Sequence, residues 1–408
     1  MNIWWVNQVA LPPTEPGVTR HYDFARELID RGHEVTVILS NFHYIRRQEI
    51  KDLGGARTEF EEIEGVPFLW IKTPSYGKGY ARRVWSWVIF AWRLWRGQGA
   101  EHLPPPQLII GSSPYPFAAL AAQKVARRRN IPFVLEVRDL WPQTLIELGG
   151  ISRWHPFIIL LDRIERFLYR RADAIVSLLP HAGPYMEGKG ADSSRINWIP
   201  NGVKLDLIPF AEPEPCRDTF TFIYAGGHGL PNELDDLLDA AALLKQTEWA
   251  GRIRLRLVGD GPEKPRLMRR AELEHLDNVS FGDSVPKSEI YRVLKEADAF
   301  VVAVRASPLY KYGVSLNKFF DYLAMGRPTV IASAIEPNPF ATAGAGAVAY
   351  PGDPDSIVRA LIEIASLPAA QRREMGLAGR EYVRAHHDLP SLVARLEEVL
   401  QQASRMPA

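Results

Sequence analysis

"NIWWVNQVA" (residues 2–10), "RHYDFARELIDRGH" (20–33) and "EVTVILS" (34–40) follow one another at the start of the chain. The first is a short apolar run typical of a buried strand, the second spaces its apolar residues at helical intervals and closes at Gly32, and the third is strand-like again. A helix between two strands makes a crossover, so the strands lie parallel and the helix covers one face of their sheet. The rhythm continues through "QLIIGSS" (107–113), a helix over about 117–129, "IPFVLEVRD" (131–139), a helix over about 156–171 and "ADAIVSLL" (172–179). It then restarts with "TFTFIYAGG" (219–227), "RIRLRLVGDG" (252–261), "NVSFGD" (278–283), "AFVVAV" (299–304) and "RPTVIAS" (327–333). Between the series lies "VKLDLIPFAEPEPCRD" (203–218), rich in proline and charge, which reads as a linker. The sequence therefore predicts an α/β chain with two doubly wound, Rossmann-like domains whose strand ends face one cleft.

Composition narrows the partners. The 408 residues exceed what one hydrophobic core usually serves, which fits two domains. With 49 basic and 48 acidic side chains there is no bulk attraction to nucleic acid, so any basic surface is local. The single cysteine, Cys216, has no partner for an internal disulfide, and no leader pattern opens the chain, so a cytoplasmic setting is expected. Apolar runs such as "FIILL" (157–161) fall short of the roughly 20 residues that span a bilayer.

Two stretches of the second series carry chemistry. In "YAGGHGLPNEL" (224–234) a strand ends in the glycine turn Gly226–Gly227 and a helix follows, so backbone N–H groups can meet a phosphate there; a plain tight turn is the alternative. In "YGVSLNKFFDYLAMGRPTVIAS" (312–333), Ser315 is placed to cap a helix beginning near Leu316, with Asn317 and Lys318 in its first turn. Lys318 and Asp321 are three apart on one helix face. They make either a grip on a nucleotide, cation to phosphate and carboxylate to ribose, or a surface ion pair. The one Asp-x-Asp, in "GDPDS" (352–356), reads as a turn and helix cap, and no metal site is expected.

"GHEVTVI" (32–38), "IPNGV" (199–203), "LVGDGPEK" (257–264), "NVSFGDSVPKSEIYRVLKEADAFVV" (278–302) and "KFFDYLAMGRPTVIAS" (318–333) together resemble family 4 of the retaining GT-B glycosyltransferases. "SSPYPFAALAAQKVA" (112–126) and "LEVRDLWPQTLIELG" (135–149) are similar to the branch with L-fucosamine transferases and other enzymes of bacterial surface-polysaccharide assembly. The resemblance implies an acceptor-side domain over 1–202, a nucleotide-sugar domain over 203–385, and a C-terminal helix over 386–408 packing back on the first. It implies transfer of a sugar, with retention and without cofactor, from a nucleotide donor (a UDP-sugar for preference) to a polyprenyl-diphosphate-linked acceptor. Carried over residue by residue, Asp321 matches the last carboxylate of the Glu-x7-Glu motif and binds ribose, whereas Gly313 stands where the first belongs. Gly226 and Gly227 match a phosphate contact, Gly17 the glycine loop under the diphosphate, and Val285 the nucleobase side. The lysine that many members place after the glycine turn is replaced within "LPNE", and Arg305 is a candidate substitute.

A histidine of many members is replaced here by Arg138–Asp139. Asp139 and His181 are the candidates to act on the acceptor hydroxyl. The alternative is a buried Arg–carboxylate pair among Glu136, Arg138 and Asp139. Arg20 and His21, after Gly17, either reach the cleft or merely begin a helix. "RRVWSWVIFAWRLWR" (82–96) has four tryptophans, four arginines and no acid. On a helical wheel Trp85, Trp87, Trp92 and Trp95 fall on one face and Arg82, Ser86, Arg93 and Arg96 on the other; Arg82, Arg83, Trp85, Trp92 and Trp95, with Arg138, are the expected acceptor or membrane contacts. This reads as an interfacial helix for an anionic inner-membrane surface and a lipid acceptor, or as a helix packed on the sheet. A GT-B sugar epimerase and a catalytically degenerate membrane-associated partner are the competing functions.

Overall fold

The computed structural model describes residues 1–44, 46–77, 79–210, 212 and 218–405; Cys216 and the end of the expected linker lie outside them. The chain divides into two compact units, Met1–Pro200 with Leu389–Ala408, and Asn201–Asp388.

The first unit contains an eight-stranded sheet. Its strands are β1 (Asn2–Val6), β2 (Glu34–Ser40), β3 (Thr58–Ile63), β4 (Val66–Ile71), β5 (Leu108–Ser112), β6 (Phe133–Val137), β7 (Ala174–Ser177) and β8 (Ile196–Trp198). The order is β8-β7-β6-β5-β1-β2-β4-β3, parallel except for β3 against β4. Helices α1 (Arg20–Asp30), α2 (Tyr80–Trp95), α3 (Pro116–Arg129) and α4 (Pro156–Arg171) cover it. Ile3, Trp5, Phe24, Val37, Phe68 and Ile110 form one core with Leu392, Leu396 and Leu400. The last three come from the helix Leu389–Arg405, so the C-terminal helix belongs to the first unit. Each large side chain so buried contributes on the order of 2 kcal/mol of transfer free energy.

The second unit has six parallel strands, β9 (Phe220–Ala225), β10 (Ile253–Val258), β11 (Val279–Gly282), β12 (Ala299–Ala303), β13 (Thr329–Ala332) and β14 (Gly346–Ala349), in the order β11-β10-β9-β12-β13-β14. Both sheet faces are covered, which is why the strands read as continuous apolar runs. Alternate residues of β9 serve different cores: Phe222 and Tyr224 pack with Leu237, Leu255 and Leu361, whereas Ile223 and Ala225 pack with Phe300, Phe319 and Tyr322. Helices α5 (Leu234–Leu244), α6 (Lys264–Leu273), α7 (Asn317–Met325), α8 (Pro354–Ser366) and α9 (Ala369–His386) supply the cover. Asp353 caps α8 by accepting from the Ser356 amide (2.9 Å), as its turn sequence predicts. In each sheet the order reverses beside the first strand, between β1 and β5 and between β9 and β12, where open α/β sheets bind ligands.

Candidate functional site

At the switch point of the second unit, β9 ends at Ala225 and the chain turns through Gly226–Gly227. The Gly226 amide donates to Val258 O (2.9 Å), while the Tyr224 hydroxyl and the Asn232 amide side chain both donate to Gly227 O (2.8 Å each). Gly227 is exposed, and its N–H donates to nothing among the described residues. A second loop interlocks with this one. Gly259 has φ +145°, and a Cβ there would lie 1.9 Å from Gly226 O. The His228 amide donates to Asp260 O (2.8 Å), and the Glu263 amide to His228 O (3.0 Å). The His228 ring is fully buried, and neither ring nitrogen has a partner among the described residues. Burial, then the charge of Lys264, pushes it down to about 4, so it is neutral. Lys264 ties the ends of β10 and β11 through Gly259 O (3.0 Å) and Gly282 O (2.9 Å), and the part-buried Val285 follows in that loop.

Helix α7 starts at Asn317 with Leu316 at the N-cap and no side-chain cap. The expectation for Ser315 is corrected: its hydroxyl accepts from the Asn201 amide (2.8 Å) and its carbonyl from the Asn201 side chain (2.6 Å). The asparagine of "IPNGV" thus fixes the loop ahead of the helix, so Ser315 has another use. Gly313 has φ +84° and ψ 179°, a region that side chains other than glycine avoid. The loop lacking the first carboxylate is therefore built around glycine and is not a simple side-chain deletion.

Lys318 and Asp321 do not pair with each other. The Lys318 ammonium donates to the Tyr224 hydroxyl (3.1 Å) and to Asn232 Oδ1 (2.6 Å) and sits 4.5 Å from the centre of the Tyr224 ring. Its side chain is part-buried, but the ammonium is enclosed with no carboxylate partner among the described residues, and this desolvation pushes it down to about 7. Lys318 thereby brings a cation to Asn232, in the stretch where the expected lysine is missing. Arg305 does not: it is half exposed and pairs with Glu233 (3.2 Å). Asn317 Oδ1 is buried without a partner among the described residues. Asp321 is buried and accepts from Lys287 (2.6 and 2.7 Å, one to each oxygen) and from the Tyr291 hydroxyl (3.0 Å). Tyr224, Asn232, Lys287 and Tyr291 escape sequence reasoning because the spacing that joins them is tertiary; Lys287 lies 34 positions before its partner.

In the first unit Gly17 has φ +144°, and a Cβ there would lie 2.4 Å from Leu11 Cδ1. Arg20 and His21 begin α1 and are buried, the second of the two readings open to them. Arg20 donates to Glu136 (2.8 Å), Pro200 O (2.7 Å) and Ile199 O (3.1 Å). His21 Nε2 lies 3.1 Å from Glu136, whose carboxylate also accepts from Ser112 (2.6 Å). Burial works against the Glu136 carboxylate, but Arg20 and then His21 hold it well below the usual carboxylate range. Burial likewise pushes His21 down to about 4. Glu136 is thus the buried ion pair, whereas Asp139, two residues past β6, is exposed. Arg138 is part-buried; its backbone N–H and that of Asp139 donate to Ser113 Oγ (2.8 and 3.3 Å). His181 is exposed just past the neighbouring strand β7.

The two-faced wheel expected of α2 is corrected. Ser86, Trp87, Phe90 and Leu94 are the buried side, and Trp87 stacks on Tyr115 with ring centres 4.5 Å apart. Arg83 also turns inward, donating to the Tyr115 hydroxyl (3.0 Å). Trp85 (55% exposed) and Trp92 (44%) share the outer side with exposed Arg82 and Arg96, so tryptophan and arginine are mixed there. Trp95 is part-buried, with the Arg128 guanidinium 4.0 Å from its ring centre. Ser86, placed by the wheel on the arginine face, lies instead fully buried and accepts from the Gln8 side chain (3.4 Å).

Residues 17–202 match the family model for the glycosyl transferase 4-like domain, and residues 219–366 match that for glycosyl transferases group 1. The chain is 22% identical over 250 residues to the probable glycosyltransferase WbjE of Pseudomonas aeruginosa, an alignment spanning 58% of this chain and 60% of that one. Among solved structures, sucrose-phosphate synthase from Thermosynechococcus elongatus superposes with a TM-score of 0.76 at 16% identity, covering 98% of both chains. HepE of Anabaena, in complex with UDP and glucose, superposes with a TM-score of 0.69 at 15% identity, covering 98% of this chain and 99% of that one.

Proposed function

Because the chain belongs to the glycosyltransferases of the GT-B fold, both of its units matching family models in family order, we propose that it transfers a sugar from a nucleotide donor to a lipid-linked acceptor. The observation that carries the reading is the enclosed Lys318 ammonium at the glycine turn. A cation held at Asn232 and Tyr224, near the open Gly227 N–H, suits a diphosphate. The leaving group of such a transfer is a nucleoside diphosphate, so the protein's task is to stabilise charge building on phosphate oxygens. Lys318 does this without a metal, and Asp321 takes the ribose hydroxyls. Val285 and the Lys264-braced loop form the nucleobase side.

UDP is the proposed nucleotide; HepE, of like fold, was crystallised with UDP and glucose. The transfer proceeds with retention. Asp139 and His181, at adjacent strand ends of the first unit, are the groups proposed to act on the acceptor hydroxyl. The acceptor is a polyprenyl-diphosphate sugar of bacterial surface-polysaccharide assembly, in keeping with the branch resemblance. The exposed Trp85 and Trp92 with Arg82 and Arg96 suit the headgroup layer of an anionic membrane, and no acidic residue occurs between Glu64 and Glu101. No described helix is long and apolar enough to cross a membrane, so the contact is peripheral.

The degenerate-partner reading keeps one observation, the glycine at 313. A calorimetric titration with UDP decides between them: binding in the micromolar range, lost in Lys318→Met, supports the donor site, and absence of binding by the intact protein refutes it.

A further inference from the structure

Asp321 is the carboxylate assigned above to the ribose, and side chains of the same unit already occupy it. The Lys287 ammonium straddles it, 2.6 Å from one oxygen and 2.7 Å from the other, and the Tyr291 hydroxyl adds a third bond at 3.0 Å. An ionised carboxylate offers about four lone-pair directions. An ammonium equidistant from both oxygens takes the open edge between them, which is the edge a vicinal diol needs to donate one hydroxyl to each oxygen. The two cannot share it. The side chain of Lys287 is 22% exposed and that of Asp321 8%, so the lysine closes the carboxylate from the wet side. The same ammonium lies 5.1 Å from the centre of the Tyr291 ring, which holds it in place from another direction.

We infer that Lys287 is a competitor built into the site, a latch that the ribose diol must displace from Asp321. The inference rests on the donor-site reading above and concerns its regulation. Two consequences follow. A nucleotide with both ribose hydroxyls gains two bonds to Asp321 and gives up the ammonium, so its net gain is small. A 2′-deoxynucleotide has one hydroxyl left, which does not offset the loss, so it binds with the latch shut. The latch therefore lowers affinity for the ribonucleotide and compresses the preference for ribose over deoxyribose. It also keeps a buried carboxylate neutralised in the empty protein, where a bare charge would be costly.

The test uses the full chain and two probes, UDP and 2′-deoxy-UDP, titrated calorimetrically into the wild type, Lys287→Met and Lys287→Gln. Thermal melts accompany each variant. Removing a charge-assisted competitor tightens UDP binding on the order of tenfold in Lys287→Met. Binding of 2′-deoxy-UDP tightens by less than that of UDP, because its one remaining hydroxyl gains a single bond to the freed Asp321, and Lys287→Gln falls between, since its amide donates one neutral bond to Asp321. UDP binding that is unchanged or weaker in two folded variants overturns the latch while leaving the donor site standing. Failure of the wild type to bind either probe removes the donor site and the latch with it. If Lys287→Met does not fold, the Gln variant alone decides, by the same direction of change.

Discussion

At the proposed donor site, the enclosure of Lys318 predicts a pH dependence of nucleotide binding with a definite sign. Burial with no carboxylate partner among the described residues pushes the Lys318 ammonium down to about 7, against 10.5 for an ordinary lysine. A diphosphate placed beside it favours the charged form and lifts the titration back toward the ordinary value. Above pH 7 the empty protein has lost the proton and must regain it to bind, so affinity falls as pH rises. With about 7 in the free state and about 10 or more in the complex, Kd increases about 50-fold between pH 7 and pH 9. The terminal phosphate of UDP is nearly fully ionised across that range, so the ligand does not mask the change. Isothermal titration in buffers of different ionisation enthalpy reads both quantities, and about one proton is taken up per UDP bound near pH 9. Lys318→Arg keeps its charge throughout and should bind with a flat profile. A wild-type Kd constant within about twofold from pH 7 to 9, with no proton uptake, refutes the reasoning.

Other outcomes follow from the same geometry. Glu136→Gln removes the carboxylate that pairs with the buried Arg20 and should cost about 3–5 kcal/mol in denaturant unfolding. Because the Glu136 carboxyl is held low in the folded chain, its contribution is intact above about pH 4.5 and is lost as pH falls through the folded-state titration. Trp87→Ala opens a core stack and should cost about 3–5 kcal/mol, whereas Trp85→Ala with Trp92→Ala should change stability by about 0.5 kcal/mol or less each. The latter pair should weaken sedimentation with anionic vesicles by about tenfold, and equal binding by the double variant removes the membrane role of α2. Gly259→Ala forces a Cβ into Gly226 O and should abolish UDP binding in a protein that still melts cooperatively.

Much of the architecture is legible in the sequence because parallel strands buried on both faces have no other way to read than as short apolar runs broken by helices. β9 and β12 are such runs, and the glycines that end β9 mark the switch point before any coordinate is known. Helix faces are harder. In α2 the apolar wheel points to the tryptophans as a group, yet Trp87 is core and Trp85 is solvent-facing, while the polar Ser86 is fully buried. Local spacing places Ser315 at a helix cap, but its hydroxyl accepts from the Asn201 amide, more than a hundred residues away in the chain. Asp321 and Lys318 announce themselves by spacing, but what each touches is set by β9 and by the turn carrying Lys287. Local pattern therefore picks out Lys318 and Asp321 as candidates, and tertiary contacts decide which group stands opposite each.

Nucleoside diphosphate release from a panel of UDP-, GDP- and dTDP-sugars, followed by mass spectrometry with and without polyprenyl-diphosphate-linked sugar from a bacterial extract, decides whether the chain is a lipid-dependent transferase. A transferase releases UDP only when the lipid acceptor is present, with a gain of one sugar mass on the glycolipid. Turnover of donor without acceptor points instead to an epimerase or hydrolase, and no turnover of any donor, with no UDP binding, rules the transferase out.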